Sequence, residues 1–575
     1  MIDLNIVNSI YKKYITAGDH RRSDYFAAIK NLLGHKNTSR DMEEKALWQL
    51  EIDKIYSLLA DELENNDDQP LNRIKFGTSG WRGILGKDLF VKSVAQVTES
   101  IISLYRDLDT FADLADYLGV SGLSEAQVRG CVIGYDNRFG GSILARAATD
   151  VLTTHGFKVF LAGESTTGVI SATLMKLNAA FSINLTPSHN PFEYGGFKFN
   201  AADAGPAASE ITDTITEKAR RIMAMDRPVQ LQPDNRLVKE IDSLEYWISL
   251  VRSGYDRHGL DIDRIMSNLA RNQDVVLTID CVHGASRVHL QRLLSVVPDN
   301  RLVLLRNEND PTFGGIAPEP STTNMQNTID VLVARQEPFK LGAIIDPDAD
   351  RIRFTDGNME ISMNQFGAMA YHFLHEIKKK SGMVAKSVAT SNFANVLAAS
   401  FGEQIFEPKV GFKEFKPVID QALVCFEESD GITVAGHTPE KDAYIGLLLA
   451  IDMILTNKMN LGAYLKMLED KYGAYFPGRD SVNVSQKGEQ LISTLSSLKK
   501  YTAGYPVEVG KTKKYITHII DIDGYKMIFD DGSWIMIRPS GTEPKIRFYY
   551  EGRTAADCDN LLQTAQKMLK ELGLL

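Results

Sequence analysis

Short apolar, β-rich runs alternate with helical segments through the middle of this chain, and this alternation restricts the fold more than any other feature. It begins with VRGCVIGYD, ILARAATDVLTTHG and FKVFLAGE, and it recurs in VVLTIDCVHGAS, LGAIIDPDADR and SVATSNFANVLAASFG. Strand and helix in turn indicate βαβ units and mostly parallel sheets. Because the chain has 575 residues, far more than one hydrophobic core supports, we expect several domains of this kind.

The two ends of the chain have a different pattern. Residues 1–70 are typical of amphipathic helices rich in charge, and the turn-forming stretch NNDDQPLNR follows. Beyond residue 470, THIIDIDGYKMIFDDGSWIMIRP indicates antiparallel strands with Asp-Gly turns, and a final helix closes the chain. We therefore predict an α/β protein: a helical extension, three related α/β domains with mixed or parallel sheets, and a C-terminal α+β domain. The predicted segments are 1–70, 71–232, 233–358, 359–470 and 471–575.

Charge, cysteine content and hydropathy exclude several classes of protein. The net charge is −10, whereas a general nucleic-acid binder is usually basic. The four cysteines are scattered without a CxxC pair, which fits a reducing compartment rather than a disulfide framework or a zinc site. No run approaches the roughly 20 apolar residues that span a bilayer, and the N-terminus lacks the apolar stretch of a signal peptide. We expect a cytoplasmic protein that binds neither nucleic acid nor a membrane.

Three apolar, strand-like runs end in turns that carry chemically useful side chains. They are FSIN-LTPSHNP, GAII-DPDADR and ALVCF-EESDG. Open α/β sheets bind ligands beyond the carboxyl ends of their strands. Three similar domains, each offering one such turn to a shared cleft, would explain the repetition.

The turn DPDADR is a candidate metal site. Asp346, Asp348 and Asp350 alternate along it, and three carboxylates this close repel one another unless a cation neutralises them. A hard divalent cation with oxygen ligands fits, and Mg²⁺ commonly takes a phosphate oxygen as a further ligand. An EF-hand loop would need Gly and Glu where Arg351 and Gly357 stand. The competing interpretation is a solvated acidic turn.

The turns LTPSHNP and EESDG together suggest a sugar phosphate as ligand. In LTPSHNP, Ser188 is a candidate phosphate carrier, although the turn taken alone is better explained as an Asn-Pro turn with an exposed serine. In EESDG, Glu427 and Ser429 can point the same way and hydrogen-bond vicinal sugar hydroxyls, although such turns are usually only solvated.

The segment RPSGTEPKIRFYYE near the C-terminus is a candidate anion site. Small residues let backbone N–H groups approach an anion, hydroxyls donate to it, and arginine binds phosphate in a forked geometry. The alternative is a basic hairpin loop without a ligand. The candidate residues are Arg538, Ser540, Gly541, Thr542, Lys545 and Arg547.

Together these motifs resemble the α-D-phosphohexomutase family. FGTSGWRG, GYDNR, TPSHNP, DPDADR, VGFK, FEESDG, EKDA and RPSGTEPKIRFYYE occur in the order typical of that family, over about residues 71 to 575. The resemblance implies four domains around a central cleft, a phosphorylated active serine and an acidic loop that binds Mg²⁺. It also implies a Glu-x-Ser loop that binds sugar hydroxyls and a last loop that binds the substrate phosphate.

The resemblance assigns roles to individual residues. Ser188 would carry the phosphoryl group, with His189 and Lys198 as candidates for proton transfer. Mg²⁺ would bind at Ser188, Asp346, Asp348 and Asp350, and glucose 1,6-bisphosphate would serve as activator and intermediate. Substrate contacts are implied for Thr78, Ser79, Arg82, Arg351, Lys413, Glu427, Ser429, Lys441, Arg538, Ser540, Gly541, Thr542 and Arg547.

Two departures from the family pattern leave the sugar open. Asp430-Gly431 stands where several members have Gly-His, and Gly411-Phe412-Lys413 stands where glucose-specific members often have Trp. The loop EESDGITVAGHTPEKDA is most similar to bacterial glucose/mannose mutases.

We expect reversible phosphate transfer between O1 and O6 of a hexose phosphate, with glucose as the sugar and mannose as a further substrate. The alternatives are a phosphopentomutase or phosphoglucosamine mutase, a metal-dependent sugar phosphatase, or an inactive sugar-phosphate sensor. The expected partners are small sugar phosphates, and the expected state is a monomer or small homo-oligomer.

Overall fold

The chain folds into two compact units in a computed structural model that describes residues 2–77, 80–109, 113–225, 229–540 and 544–575. Unit 1 comprises Met1–Asp256, Leu260–Asn358 and Gly436–Leu455. Unit 2 comprises Arg257–Gly259, Met359–Ala435 and Thr456–Leu575. Residues 436–455 therefore belong to unit 1, although they follow part of unit 2 in the sequence.

Three helices form the N-terminal extension: α1 (Leu4–Tyr14), α2 (Tyr25–Thr38) and α3 (Met42–Asn65). Each begins after an aspartate, Asp3, Asp24 or Asp41, whose side chain accepts a hydrogen bond from a backbone N–H of the first turn. Their buried faces belong to the same apolar core as the first sheet of unit 1. The predicted amphipathic helices are thus present, and they pack as part of unit 1.

The first sheet has the strand order β1-β2-β6-β5-β3-β4-β7. Its strands are β1 (Phe76–Gly77), β2 (Gly80–Ile84), β3 (Cys131–Tyr135), β4 (Val159–Glu164), β5 (Phe181–Leu185), β6 (Tyr194–Ala201) and β7 (Val238–Glu240). The helices of this region are α4 (Val91–Arg106), α5 (Asp113–Leu118), α6 (Leu123–Arg129), α7 (Gly141–Thr154), α8 (Thr167–Leu177) and α9 (Ser209–Ala224). The strands β5, β3, β4 and β7 are parallel, and β6 is antiparallel to β5.

The second sheet of unit 1 orders its strands β11-β10-β8-β9. These strands are β8 (Val275–Asp280), β9 (Leu302–Leu305), β10 (Phe339–Ile345) and β11 (Ile352–Thr355). The accompanying helices are α10 (Ser243–Ser253), α11 (Tyr255–His258), α12 (Ile262–Arg271), α13 (Ser286–Leu293) and α14 (Thr322–Val333). The strands β10, β8 and β9 are parallel, whereas β11 is antiparallel to β10.

Unit 2 contains a third mixed sheet with the order β14-β13-β15-β16. The elements of this region begin with β12 (Glu360–Ile361) and include β13 (Met383–Lys386), β14 (Ile405–Phe406), β15 (Ala422–Glu427) and β16 (Gly431–Val434). The helices are α15 (Met363–His372), α16 (Phe393–Phe401) and α18 (Leu461–Tyr472), whereas α17 (Ala443–Asn457) belongs to unit 1 up to Leu455. The strands β14, β13 and β15 are parallel, and β16 is antiparallel to β15.

The C-terminal region of unit 2 is an antiparallel sheet with the order β17-β22-β21-β20-β19-β18. Its strands are β17 (Phe476–Asn483), β18 (Pro506–Val509), β19 (Thr512–Ile520), β20 (Tyr525–Phe529), β21 (Trp534–Pro539) and β22 (Lys545–Gly552). Two helices accompany it, α19 (Gly488–Leu495) and α20 (Ala555–Glu571). The predicted fold class, three mixed α/β sheets followed by an α+β domain, is confirmed. The exact domain boundaries stay predictions.

Among the described residues, no single helix has the length and apolar composition to cross a membrane. The helices α17 and α18, which are separated by a break and a bend, pass that test only as a pair and only by length and composition.

The three turns singled out in the sequence occupy the same place in the three mixed sheets. Each follows a parallel strand, β5, β10 or β15, and each leads to that strand's antiparallel neighbour, β6, β11 or β16. Each turn also contains a residue other than glycine in the left-handed region: Ser188 at φ 59°, Ala349 at φ 51° and Asp430 at φ 72°. Such backbone costs on the order of 1–3 kcal/mol and clusters at functional sites. The repetition seen in the sequence is therefore a repetition of structure.

Candidate functional site

The backbone of Ser188 is fixed by hydrogen bonds and by the close approach of a neighbouring strand. Its N–H donates to Thr186 Oγ1 at 2.9 Å, and the Thr186 hydroxyl donates to Asp136 Oδ2 at 2.7 Å. A Cβ added to Gly196 on β6 would lie 2.2 Å from the Thr186 carbonyl oxygen. Only glycine therefore allows β6 to pass this close beneath the turn.

Arg138 organises the rest of the serine turn. Its guanidinium donates to the carbonyl oxygens of Ser188 at 2.6 Å, Asn190 at 2.5 Å and Pro191 at 2.7 Å. The side chain is buried and pairs with Asp136 Oδ2 at 3.2 Å. The sequence analysis did not predict Asp136 or Arg138 as site residues. The signal that could have found them is a pair of charged residues directly after the apolar strand β3.

The acidic turn DPDADR meets the serine turn directly. Ser188 Oγ donates to Asp346 Oδ2 at 2.9 Å. Asp346 Oδ1 in turn accepts the backbone N–H groups of Asp350 and Arg351, both at 3.0 Å, and so closes the acidic turn on itself. The structure therefore brings the predicted phosphate carrier to the predicted metal ligands.

The donor set of this turn fits a hard divalent cation. Asp346, Asp348 and Asp350 are buried, and each offers a ligand oxygen within 4.8 Å of the others. Oδ1 of Asp348 and Oδ1 of Asp350 are buried without a hydrogen-bond partner, and Arg351 Nε lies 3.5 Å from the latter atom. Because a buried carboxylate oxygen without a partner is unfavourable, these two atoms indicate a position for a cation with oxygen ligands.

Two lysines contact the acidic turn. Lys198 Nζ lies 2.5 Å from Asp348 Oδ2 and 3.1 Å from Asp350 Oδ2, and Lys441 Nζ lies 3.3 Å from Asp350 Oδ2. Burial alone would raise the pKa of Asp350, but Lys198 and Lys441 hold that pKa well below its usual range. Burial and the two neighbouring carboxylates instead raise the pKa of Asp346. Asp350 is thus the firmly ionised member of the cluster.

The two candidates for proton transfer differ in their charge. Burial would lower the pKa of Lys198, but Asp348 and Asp350 raise it above its ordinary value, so this side chain stays an ammonium. The charge of Arg351, followed by burial, lowers the pKa of His189 well below its ordinary value. Its Nδ1 lies 3.2 Å from Ser188 Oγ. A neutral imidazole beside the serine can accept a proton, whereas the Lys198 ammonium cannot.

Two arginines of unit 1 that were predicted to contact the substrate, Arg82 and Arg351, lie near the serine turn. Arg82 donates to Asn190 Oδ1 at 2.9 Å, and burial together with the charge of Arg351 lowers the pKa of Arg82. Two guanidinium groups that repel each other in this way form a site for an anion, because a bound anion reduces the repulsion between them. Thr78 and Ser79, which were also predicted to contact the substrate, lie outside the described residues.

Residues 436–455 complete the acidic site from a distant part of the chain. Ala443 N–H donates to the Ala349 carbonyl oxygen at 2.9 Å, so the segment is anchored on the acidic turn. Asp442 Oδ2 accepts from Trp247 Nε1 at 2.5 Å and lies 2.7 Å from His437 Nε2. These contacts fix the backbone beside Lys441, whose place next to Asp350 was not foreseen from its position in the sequence.

Thr167 is a further residue that the sequence analysis missed. Its hydroxyl donates to Asp348 Oδ2 at 2.8 Å, and its backbone N–H donates to the Asp348 carbonyl oxygen at 2.8 Å. The residue begins α8, and nothing in its local sequence connects it to a metal site 181 residues away.

In unit 2, the predicted sugar turn contains three acidic residues, Glu427, Glu428 and Asp430. Ser429 Oγ donates to Glu427 Oε1 at 2.7 Å, so the two predicted side chains do lie together. Glu428, which was not predicted, is buried and accepts from Ser387 at 2.7 Å and Thr390 at 3.1 Å. Burial and the charge of Glu427 raise the pKa of Glu428. The predicted residue Lys413 lies half-buried in the 3-10 turn Phe412–Val418.

The predicted phosphate residues of unit 2 lie on adjacent strands. Arg538 on β21 is paired in register with Arg547 on β22, and Arg538 Nε lies 2.9 Å from Asp523 Oδ2. Burial and the charge of Glu428 raise the pKa of Tyr549, while Arg547 and Arg538 counteract this rise. The basic strands and the sugar turn are therefore electrostatic neighbours within unit 2.

The turn that joins these strands is described only in part. Ser540 N–H donates to the Lys545 carbonyl oxygen at 2.8 Å. Gly541 and Thr542, two predicted contacts of the substrate phosphate, lie outside the described residues.

Four family models match the chain in succession. They are the phosphoglucomutase/phosphomannomutase alpha/beta/alpha domain I over residues 73–225, domain II over 258–360, domain III over 362–472 and the C-terminal domain over 482–566.

Curated relatives of similar length carry different substrate names. The chain is 26% identical over 502 residues to a probable phosphoglucosamine mutase of Methanosphaera stadtmanae, covering 86% of this chain and 98% of that protein. It is 25% identical over 493 residues to phosphoglucomutase 1 of Drosophila melanogaster, covering 77% and 86%. The structure is similar to that of parafusin, a phosphoglucomutase from Paramecium in its open form, with a TM-score of 0.68, 21% identity and coverage of 88% and 96%.

Proposed function

Because the chain belongs to the phosphoglucomutase/phosphomannomutase family of mutases, we propose that it transfers a phosphoryl group reversibly between O1 and O6 of a hexose phosphate, with glucose 1-phosphate and glucose 6-phosphate as its substrates. The observation that carries this proposal is the hydrogen bond from Ser188 to Asp346. It joins a nucleophilic hydroxyl to a cluster of carboxylates, which is the arrangement that phosphoryl transfer through a phosphoserine needs.

The proposed reaction has two transfers. In the first, a hydroxyl oxygen of the sugar monophosphate forms a bond to the phosphorus carried by Ser188, and the bond between phosphorus and Ser188 Oγ breaks. The hydroxyl proton passes to the neutral imidazole of His189, and the imidazolium gives that proton to the Ser188 oxygen that is released, which restores the serine hydroxyl. In the second, His189 takes the proton from Ser188 Oγ as this oxygen forms a bond to the other phosphorus of the sugar bisphosphate, the bond between that phosphorus and the sugar oxygen breaks, and the imidazolium gives the proton to the released sugar oxygen. Atoms and charge balance over the cycle, and the serine ends phosphorylated as it began.

We propose Mg²⁺ as the cation, held by Asp346, Asp348 and Asp350 together with the group on Ser188. When bound, it would neutralise charge on the transferring phosphoryl group. The Lys198 ammonium keeps two of these carboxylates in place through its contacts of 2.5 and 3.1 Å. Arg82, Arg351 and Lys441 supply the remaining positive charge around the serine.

Within unit 2, we assign sugar hydroxyls to Glu427 and Ser429, and the phosphate that is not being transferred to Arg538 and Arg547. The hydrogen bond between Glu427 and Ser429 supports the first assignment, because it holds an acceptor and a hydroxyl side by side. The registered pairing of the two arginines supports the second assignment, since neighbouring guanidinium groups suit an anion.

A phosphoglucosamine mutase is the second candidate. The relative from Methanosphaera stadtmanae favours it, since its 26% identity is close to the 25% of the Drosophila phosphoglucomutase. The ratio of kcat/KM for glucose 1-phosphate, mannose 1-phosphate and glucosamine 1-phosphate separates these possibilities.

The proposed function is tested by an assay of glucose 1-phosphate with Mg²⁺ and a trace of glucose 1,6-bisphosphate. We expect glucose 6-phosphate to form without a matching release of inorganic phosphate. Inorganic phosphate released at the rate of turnover would identify a phosphatase instead. The absence of turnover with every hexose 1-phosphate would contradict the proposal.

A further inference from the structure

One face of helix α2 contacts both loops that surround the serine turn. Phe26, Lys30, Leu33 and Asn37 are spaced by four, three and four residues, so they lie on a single side of the helix. The helix belongs to the N-terminal extension, which precedes the first residue matched by a family model, residue 73. The proposed reaction gives this extension no role.

The first half of this face contacts the chain directly after the serine. The rings of Phe26 and Phe192 meet edge to face with centroids 5.7 Å apart, and both side chains are buried. Lys30 Nζ lies 2.6 Å from Glu193 Oε1 and 5.6 Å from the centre of the Phe192 ring. Phe192 and Glu193 follow Pro191 and lead into β6. Helix α2 therefore holds the outgoing arm of the serine turn.

The second half contacts the short turn Phe313–Gly315 of the second sheet's region. Asn37 Nδ2 donates to the Gly314 carbonyl oxygen at 3.0 Å, and Leu33 lies against Gly315. The ring of Phe313 lies 4.8 Å beneath the Arg138 guanidinium. Arg138 in turn donates to the Ser188 carbonyl oxygen at 2.6 Å. This half of the face is therefore connected to the serine through Phe313 and Arg138.

We propose that helix α2 is a positioning element for Ser188, with Lys30 and Asn37 as its positioning residues. The inference rests on the proposed function, because it concerns the geometry of the phosphoryl carrier. Phe192 and Glu193 fix the turn from one end, and Phe313 fixes Arg138 at the other. Loosening either contact lets the Ser188 carbonyl and hydroxyl leave the geometry that transfer requires.

A helix that merely stabilises the domain would behave differently from one that positions the serine. Loss of a stabilising contact lowers the unfolding midpoint and leaves the turnover of the folded enzyme unchanged. Loss of a positioning contact slows phosphorylation of Ser188 while the midpoint stays close to that of a control variant. The pair Lys30 and Glu193 suits this comparison, because Lys30 is 50% exposed and its replacement leaves the core intact.

The experiment measures phosphorylation of Ser188 in the full-length protein by glucose 1,6-bisphosphate, using intact mass after rapid mixing. We expect Lys30→Glu and Glu193→Lys each to slow it by about fivefold, the upper range for the loss of an ion pair whose lysine is half exposed. The double variant, which restores opposite charges, should return to within about twofold of the wild type, and Lys30→Arg should behave like the wild type. Lys12→Glu, an exposed lysine on α1, is the matched control and should have no effect.

The second contact is tested with Asn37→Ala, with Asn31→Ala on the same helix as its control. We expect Asn37→Ala to lower kcat by about threefold with KM for glucose 1-phosphate unchanged, the size of a single neutral hydrogen bond. Unchanged phosphorylation rates in Lys30→Glu and Glu193→Lys, or a double variant no better than the singles, would overturn the inference. A wild type that is never phosphorylated on Ser188 would instead refute the proposed function.

Discussion

Ser188 Oγ and Asp346 Oδ2 are 2.9 Å apart, although 158 positions separate the two residues in sequence. A phosphoryl group on that oxygen would place further negative charge against three buried carboxylates. Electrostatic repulsion at this distance is large in a buried site, so the phosphorylated state requires nearby cations. Because of this contact, phosphorylated Ser188 depends on nearby cations.

We expect Ser188→Ala to abolish mutase turnover and to remove the phosphoryl group from the intact mass of the protein. The reason is that no other hydroxyl among the described residues lies in the same contact with Asp346. The measurement is the coupled assay of glucose 6-phosphate formation together with mass spectrometry. Near-normal turnover in this variant would contradict a phosphoserine mechanism.

Replacement of a single ligand carboxylate should weaken the metal site selectively. Asp348→Asn keeps the shape of the side chain, and we expect Mg²⁺ affinity to fall by at least about tenfold, since even residues outside the ligand set alter affinity by that much. A chelator should abolish the turnover of the wild type, and added Mg²⁺ should restore that turnover. Asp330→Asn on α14 is the control. Turnover that is insensitive to chelator would exclude the assigned metal role.

Glu427→Gln should impair the handling of the sugar. Glu427 accepts the Ser429 hydroxyl at 2.7 Å, and an amide in its place can no longer provide two acceptor oxygens. We expect kcat/KM for glucose 1-phosphate to fall by about tenfold, with phosphorylation of Ser188 largely intact. The opposite pattern, lost phosphorylation with normal sugar binding, would show that Glu427 has a different role.

Arg547→Ala should affect both substrate isomers alike. The loss of one charge-assisted contact to phosphate costs about 2 kcal/mol, or roughly 30-fold in kcat/KM. We expect this loss with glucose 1-phosphate and with glucose 6-phosphate, while Mg²⁺ affinity stays unchanged. Lys570→Ala on α20 serves as the control. A large penalty for only one isomer would mean that Arg547 binds phosphate in one orientation only.

Acid should destabilise the protein partly through His372. Burial lowers the pKa of this histidine to about 4, and its Nδ1 lies 2.7 Å from the Tyr464 hydroxyl. Between about pH 6.5 and 4, His372 therefore binds a proton in the unfolded chain, whereas its imidazole stays neutral in the folded protein. The stabilisation is complete above pH 6.5 and is lost as the pH falls, by about 3 kcal/mol at most.

The test compares the pH dependence of the unfolding free energy in the wild type and in His372→Gln. We expect the variant to lose less stability than the wild type between pH 7 and pH 4.5. His518→Gln, at an exposed position on β19, should follow the wild type. Identical slopes for all three proteins would show that His372 is not held neutral by folding.

The local sequence predicted the features that one strand and its turn contain. The apolar runs that end in DPDADR, LTPSHNP and EESDG predicted the three mixed sheets and the acidic turn. Both the burial of a strand and the chemistry of its turn depend on residues that are neighbours in the sequence. Asp346, Asp348 and Asp350 were identified as a group for the same reason. Their spacing alone brings the carboxylates together.

Contacts between distant segments were not predictable in this way. Thr167 has an ordinary local sequence, and the motifs GYDNR and EKDA, which contain Arg138 and Asp442, do not report the contacts that these residues make when separate elements pack side by side. Lys441 was assigned to the substrate from its motif, but its contact with Asp350 depends on residues 436–455 returning to unit 1. No periodicity or spacing in the chain reports such a return.

That return has a consequence for biosynthesis. The ribosome releases the N-terminal part of the chain first, and domains generally fold in that order. The acidic turn is made early, but Lys441 and the carboxylate that accepts the Trp247 indole emerge only after the whole third sheet. Until then the acidic turn has only Lys198 of its two lysine partners, and Trp247 lacks the residues of segment 436–455 that contact it. A chain that stalls before residue 436 thus exposes features that chaperones and proteases recognise, and only completed synthesis hides them.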